Sequence, residues 1–452
     1  MKPFLEPKSV ALIGVSRAVS SGTFNTLENL IKAGFSGRVY PVNPHAGEIL
    51  GRKVYPDVLE IPEVCDLAVI TLSRSEVLRN VSLCIQRGIR AIIIISQGFA
   101  DADDEGKRMQ AEIVGIARQS GARIMGPNTW GTFNAFDKFT SGIAPVSLEK
   151  RPIAFIAQTG FFFHRAPVVG KGIDLGNTCD VDFADGMEYF ENDPDVKLIF
   201  LHIEGIRDGK RFMEVARRVA KKKPIVAIKA GSQADAARAV QSHTGMLIGR
   251  DEVYDAAFSQ CGIIRVSELD EFEDLATAFL NLPSMPGPGM AIITGSGGGG
   301  VMVSDMARKH GLRLAQLSPE TLRRMNDLAP PWQRIDNPCD IWAASGVAGH
   351  SLGDVFLTSL DASLKDQNVH GVAVLFYMAM ARTEQGKLLE VIKKAADKPI
   401  VYSLDLPEAR GPLAALEETG KMASFPTMER ALRALSRLYA RWRSLTTPDD
   451  RA

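Results

Sequence analysis

Along the first third of the chain, short β-rich apolar runs alternate with amphipathic stretches, and this rhythm restricts the fold more than any other feature. "SVALIGV" (9–15), "RVYPVNP" (38–44), "CDLAVITL" (65–72), "IRAIIIIS" (89–96) and "ARIMGPN" (122–128) each read as buried strands. Helical patterns such as "FNTLENLIKAG" and "SEVLRNVSLCIQRG" separate them. Strands that alternate with helices in this way form βαβ units, and βαβ units build a doubly wound parallel sheet.

The same move recurs further on. A second unit starts near "RPIAFIAQTG" (151–160) and runs through "VKLIFLHIEG" (196–205) and "KPIVAIKAG" (223–231). A Pro/Gly-rich linker, "LPSMPGPG" (282–289), closes it. "MAIITGSGGGGVMVSDMARKHG" then echoes "IAFIAQTGFFFHRAPVVGKG", and "DKPIVYSL" (397–404) resembles "KKPIVAIKAG". The expected architecture is α/β: a Rossmann-like domain over 1–146, then two tandem flavodoxin-like domains over 147–284 and 285–452. Near the C-terminus, Leu432, Leu435, Tyr439 and Trp442 share one helical stripe, which predicts a packed terminal helix.

Bulk properties exclude several classes of function. Lys+Arg and Asp+Glu both total 53, so no global field draws the chain to nucleic acid or an anionic membrane. No run approaches transmembrane length, and the opening apolar run is too short for a secretion signal. The five cysteines are far apart and include no CxxC, which argues against zinc and a disulfide framework; a cytoplasmic location is expected. The seven histidines have no metal-site spacing, so no metal is expected on this chain.

Three turns can hold an oxyanion. In "ALIGVSRAVSSGT" (11–23) a strand ending at Gly14 leads through a polar loop to a helix, whose N-terminal amides attract anions. An ordinary strand–helix turn reads the same way. The loop is not GxGxxG, and the second strand ends in "PVNP" without an acidic residue for a ribose, which argues against NAD. "IAQTG" offers Gln158, Thr159 and Gly160 at a strand end. "TGSGGGG" does so more strongly, because Gly297, Gly298, Gly299 and Gly300 let backbone N–H groups approach a phosphate closely. No Gly-Lys-Ser/Thr follows, so it is not a Walker A loop. Glu204 ends the strand in "LIFLHIEGIRDG", at the edge where α/β sheets keep their sites, although a lone loop glutamate is ordinarily a solvated one. His243 sits in the polar loop "RAVQSHTGMLIG". Taken together, Glu204 and His243 form a candidate carboxylate–imidazole pair for nucleophilic histidine chemistry.

The segment "KPIVAIKAGSQADAARAVQSHTGMLIG" resembles the phosphohistidine segment of the NDP-forming acyl-CoA synthetases, relatives of succinyl-CoA synthetase, and specifically their α subunits. The resemblance extends over nearly the whole chain through "VALIGVSR", "VYPVNP", "GEILG", "SQGFAD", "GPNTWG", "GNTCDVDFADGMEYFENDPDVKLIFLHIEGI", "TGSGGGGVMVSD" and "DNPCDIW". It implies that His243 is transiently phosphorylated and that Glu204 holds it. The helices after Gln158–Thr159–Gly160 and after Gly297–Gly300 would clasp the phosphoryl group. Gly14, Ser16, Arg17, Asn43, Ser96 and Asn128 occupy places that meet coenzyme A in relatives. The implied reaction joins a small carboxylic acid to CoA with ATP hydrolysis, through an acyl phosphate. ATP, ADP and Mg²⁺ are expected on a separate ATP-grasp β subunit, since no segment here reads as that domain.

The chain departs from the family pattern in places. It has Ala157-Gln158-Thr159-Gly160 where Ser-Gln-Ser-Gly is usual, and Phe161, Phe162 and Phe163 where a small residue is usual. Its third-domain loop reads Gly-Ser-Gly-Gly-Gly-Gly in place of Asn-Ala-Gly-Gly-Pro-Gly, and Thr129 replaces a common cysteine. The alternative function is a catalytically silent CoA-binding regulator or assembly component of the same fold.

Overall fold

A computed structural model describes residues 1–17, 25–160, 169–231, 250–346, 348–375, 381–403 and 410–446. The chain divides into two compact units, Met1–Phe272 and Glu273–Ala452.

The first unit opens with a parallel sheet built from β1 (Ser9–Ile13), β2 (Arg38–Val42), β5 (Leu67–Ile70), β6 (Ala91–Ile94) and β7 (Arg123–Met125), in the order β2-β1-β5-β6-β7. A small antiparallel pair, β3 (Glu48–Ile49) and β4 (Arg52–Lys53), follows β2. Every residue of β1, β5 and β6 is buried, as a parallel sheet covered on both faces requires. Pro41 is tolerated because β2 is an edge strand. The crossover helices Thr26–Ala33, Arg74–Arg87 and Asp104–Ser120 each stop at a left-handed glycine: Gly34, Gly88 and Gly121.

A second sheet contains β8 (Thr132–Asn134), β9 (Phe139–Thr140), β10 (Ile153–Ala157), β11 (Lys171–Asp174), β12 (Leu198–Ile203), β13 (Ile225–Lys229) and β14 (Ile264–Val266). Its order is β14-β13-β12-β10-β11-β8-β9, parallel except for the β8 and β9 edge. Residues 132–140 therefore already belong to the second sheet, ahead of the change of domain expected at 146. One buried apolar cluster runs from Leu12, Val69 and Ile93 through Met125 to Ile156, Ile199 and Leu201, so the two sheets share a core.

The second unit carries β15 (Gly289–Thr294), β16 (Arg313–Leu314), β17 (Cys339–Asp340), β18 (Gly371–Leu375), β19 (Ile400–Ser403) and β20 (Met422–Phe425), ordered β16-β15-β18-β19-β20 with β17 beside the end of β15. The terminal helix Met428–Thr446 buries Leu432 and Leu435 against Val303, Ala307 and Val401, with Tyr439 packed at the rim. Among the parallel strands of each sheet, the first (β1, β10 or β15) lies inside with the second (β2, β11 or β16) on one side of it, and the later strands extend the other way. This is the flavodoxin-like order, whose direction reverses between first and third strands.

The five cysteines are free and buried. Burial pushes the thiols of Cys65, Cys179 and Cys339 up to about 12. Among the described residues no helix is long and apolar enough to cross a membrane.

One buried charge cluster lies at the start of β11, inside the second sheet. Lys171 Nζ is 2.8 Å from Asp193 Oδ2 and 2.9 Å from Asp195 Oδ2, beneath the Phe136 ring. Burial alone would lower the Lys171 pKa, but the two carboxylates more than offset it and hold it above the ordinary value. Lys171→Ala would leave the Asp193 carboxylate buried without its cation. The expected cost is about 3–5 kcal/mol, read as a drop in denaturant midpoint. Asp195, whose side chain is 39% exposed, should cost far less on truncation.

Candidate functional site

In the first sheet, the switch point lies between β1 and β5. Gly14 (φ 86°) turns the chain there, and its N–H donates to the Val42 carbonyl (3.1 Å). Ser16 and Arg17 are exposed beyond it. Asn43 donates through Nδ2 to the Val15 carbonyl (3.0 Å) and accepts the His45 N–H (2.9 Å), which fixes the loop after β2 against the loop after β1. Asn25 caps the following helix by accepting the Glu28 N–H (3.2 Å), and it also donates to Ser16 O (3.2 Å). Ser96 Oγ donates to Leu72 O (2.6 Å), while its carbonyl accepts the Asn128 N–H (2.9 Å). The structure thus gathers Gly14, Ser16, Arg17, Asn43, Ser96 and Asn128 on loops at the C-terminal edge of one sheet. Asn43 and Ser96 shape that edge with their side chains.

The second switch point lies between β10 and β12. Adjacent parallel strands diverge there, and the N–H groups of Glu204 and Gly205 lie beyond the β12 ladder. Gln158, 1% exposed, fills the gap. Its Oε1 accepts both N–H groups, at 2.7 and 3.0 Å, and its Nε2 donates to Thr178 Oγ1 (3.0 Å). Gln158, expected to face a phosphate, turns its side chain inward and fixes the backbone of Glu204. Glu204 itself is buried. Lys229 ends the next strand; burial lowers its pKa, while the charges of Asp251 and Glu204 oppose that shift.

On the other side of β10, Asp174 ends β11 in register with Ala157. Its Oδ2 accepts the Trp130 N–H (2.7 Å) and its Oδ1 the Gly176 N–H (3.1 Å). Two glycines make this packing possible. At Gly176 (φ +52°) a Cβ would lie 2.3 Å from the Pro127 carbonyl oxygen, and at Gly160 one would lie 2.1 Å from the Trp130 indole. The indole therefore lies directly over the Gln158–Gly160 turn. Thr129, in place of a common cysteine, donates to the Asp174 carbonyl and accepts the Gly131 N–H (2.8 Å).

In the second unit, the glycine run begins a helix, Gly297–Lys309. Ser296 caps it by accepting the Gly299 N–H (3.3 Å), and Gly297 and Gly298 are exposed at its first turn. Asp340 stands close to this terminus, with its Oδ2 3.1 Å from where a Gly297 Cβ would be.

His243 and Phe161–Phe163 lie outside the described residues. Among the described residues, no group of three or more His, Cys, Asp or Glu side chains could hold a metal ion. Sequence reasoning passed over Asp174, Thr178 and Trp130. An acidic residue ending "KGID" was the available signal, but the charged start of that strand hid it.

Three family models cover most of the chain: a CoA binding domain over residues 8–135, a succinyl-CoA ligase like flavodoxin domain over 150–279, and a ligase-CoA domain over 290–432. The chain is 36% identical to the acetate–CoA ligase [ADP-forming] I subunit alpha of Pyrococcus furiosus, covering 98% of both. It is also 36% identical to the acetate–CoA ligase [ADP-forming] II of Archaeoglobus fulgidus over 82% of this chain but 56% of that protein. A dinucleotide-forming acetyl-coenzyme A synthetase 1 from Ca. Korarchaeum cryptofilum, solved in complex with phosphate and ADP, superimposes with a TM-score of 0.84 at 30% identity, covering 98% of this chain and 97% of that one. With the strand order, the CoA-domain loops and the Glu204 edge all falling within these matches, the chain belongs to the NDP-forming acyl-CoA synthetases, a family of acid–thiol ligases.

Proposed function

We propose that this chain is the CoA-binding, phosphohistidine-bearing subunit of its enzyme and works with a separate ATP-grasp subunit. The reaction is carboxylate + CoA + ATP giving acyl-CoA + ADP + phosphate. The observation that carries this reading is a buried Glu204 whose backbone is fixed by Gln158 at a topological switch point. That is where open α/β sheets bind ligands. A carboxylate held there can orient an imidazole and balance its charge.

His243 accepts the phosphoryl group from ATP. A substrate carboxylate oxygen then takes it, forming an acyl phosphate and restoring the imidazole. The CoA sulfur attacks the acyl carbon, the C–O bond to phosphate breaks, and the thiol proton leaves with the departing phosphate or solvent. Dividing the reaction in this way lets one mobile phosphoryl group serve two sites. The Ser296-capped helix beginning at Gly297 supplies N–H groups and a positive dipole end for the phosphoryl group. The residues 1–146, 147–284 and 285–452 act as CoA, histidine-loop and second ligase-like domains. The first of these domains binds CoA through Gly14, Ser16, Arg17, Asn43, Ser96 and Asn128.

The partner is inferred from two observations. The Pyrococcus relative, matched end to end, is named a subunit alpha. The Archaeoglobus relative bears no subunit name and extends well beyond the matched region. Phosphoryl transfer also needs Mg²⁺ and basic residues around the nucleotide, and these are assigned to the partner. A cytoplasmic location accords with this chemistry.

Labelled ATP with Mg²⁺ and the co-purified partner should leave acid-labile, alkali-stable phosphate on this chain, and His243→Asn should remove it while CoA binding persists. Label retained in that variant overturns the assignment. Stoichiometric labelling by ATP of the rigorously purified chain alone would instead place the nucleotide site here.

Glu204→Gln keeps the shape and removes the charge. Turnover should fall about 10²–10³-fold, the scale of losing one preorganised electrostatic contact of about 3–4 kcal/mol. Gln158→Leu leaves two buried N–H groups unsatisfied beside that carboxylate. It should lower both stability, by about 1–3 kcal/mol, and turnover, as measured by denaturation and steady-state acyl-CoA formation. Unchanged turnover in both variants would remove this edge from the chemistry.

A further inference from the structure

Asp174 differs from three other buried carboxylates of the first unit. Asp185 is within 2.9 Å of Arg123 and 2.8 Å of Arg211. Glu191 pairs with Lys222 (2.7 Å) and Asp193 with Lys171 (2.8 Å). Asp174 is 1% exposed, and among the described residues no cation lies within salt-bridge distance of it. It accepts the backbone N–H groups of Trp130 and Gly176, and the Thr129 hydroxyl also bonds to it.

A cation-free buried carboxyl is costly to keep ionised, so its placement needs a reason beyond packing. Asp174 pairs in register with Ala157, the residue before Gln158, and the short loop it begins ends at Thr178, which Gln158 grips. One end of that loop thus anchors the Trp130 backbone and the other the clamp on Glu204. Trp130 in turn covers Gly160.

We propose that Asp174 is a positioning residue for acyl transfer: its carboxylate pins the Trp130 backbone so that the indole covers the Gly160 turn, and the Asp174–Thr178 loop carries the same constraint to Gln158 and Glu204. This rests on the phosphohistidine reading above. The groups that act on Asp174 are Thr129 and Trp130 from the loop after β7, Gly176 from its own loop, and Glu204 from the end of β12. His202 lies on the same sheet face two strands away.

Burial pushes the Asp174 carboxyl up to about 7. The bonds from Trp130, Gly176 and Thr129 oppose this, and the charge of Glu204 reinforces it. The folded-state value lies above the unfolded one, so the group favours folding at low pH. That contribution fades as pH rises from the ordinary carboxylate range through about 7. Ionisation therefore costs stability while completing the two N–H contacts, and the two effects separate experimentally.

The test uses the full chain with any partner that co-purifies, acetyl-CoA and labelled inorganic phosphate, and follows phosphohistidine formation by the reverse half-reaction from pH 5.5 to 8.5. In the wild type the rate should rise through neutrality. In Asp174→Asn, which presents an NH₂ to one of the two N–H groups, it should fall about 10–100-fold at pH 8 and lose that inflection, with CoA affinity unchanged. The same variant should melt higher than the wild type at pH 8, with the gap closing toward pH 5. Equal rates and pH profiles in the two proteins overturn the proposal. If Asp174→Asn fails to fold, Asp174→Ser, which keeps one acceptor, replaces it under the same criteria. A second readout needs no turnover: the emission lost in Trp130→Phe should titrate near neutrality in the wild type and not in Asp174→Asn, and its absence in the wild type also overturns the proposal. No label in the wild type, with Trp130 emission still titrating, would count against the phosphohistidine reading and leave the Asp174 contact standing.

Discussion

Parallel strands that depart in opposite directions from a first strand leave backbone donors exposed at the point where they part. At the edge between β10 and β12 these are the N–H groups of Glu204 and Gly205, and the Gln158 amide accepts both. A buried N–H without an acceptor costs about 1–3 kcal/mol, so this side chain both closes the sheet and fixes the backbone from which the Glu204 carboxylate projects. The rest of the edge is arranged around it: Thr178 holds the other end of the amide, Asp174 holds the start of the Thr178 loop, and Trp130 covers the turn that follows Gln158.

Strand rhythm made the first sheet legible in the sequence, because β1, β5 and β6 are buried on both faces and read as unbroken apolar runs. The echo between the two later units was also visible and corresponds to a shared strand order. β11 escaped notice, since it starts with Lys171 and ends with Asp174 and yet is buried throughout. Lys171 is paired with carboxylates 22 and 24 residues away and Asp174 takes the Trp130 N–H from 44 residues before it, and no periodicity reveals that. Gln158 shows the complementary limit: its position at a strand end was readable, but the direction of its side chain depends on donors 46 and 47 residues away. The change of sheet at Thr132 was hidden for a similar reason, because β8 and β9 are short and join an edge built mostly from later sequence.

The glycines also divide into kinds that composition alone cannot separate. Gly160 and Gly176 are close-approach positions, where a methyl group would strike the Trp130 ring or the Pro127 carbonyl. Gly297 and Gly298 belong to an exposed helix start that keeps its amides available. The first kind holds loops together and the second leaves room for an anion, although both stand in turns that look alike on paper.

The buried cysteines have a consequence for an enzyme that handles activated acyl groups. Acyl phosphates and thioesters react with any accessible thiolate, and the thiolate is the nucleophilic form of cysteine. With Cys65, Cys179 and Cys339 pushed up to about 12 and all five cysteines buried, this chain offers such groups no accessible thiolate of its own. In a CoA ligase, self-acylation of this chain is thereby suppressed by burial, and chemoselectivity is built into the core.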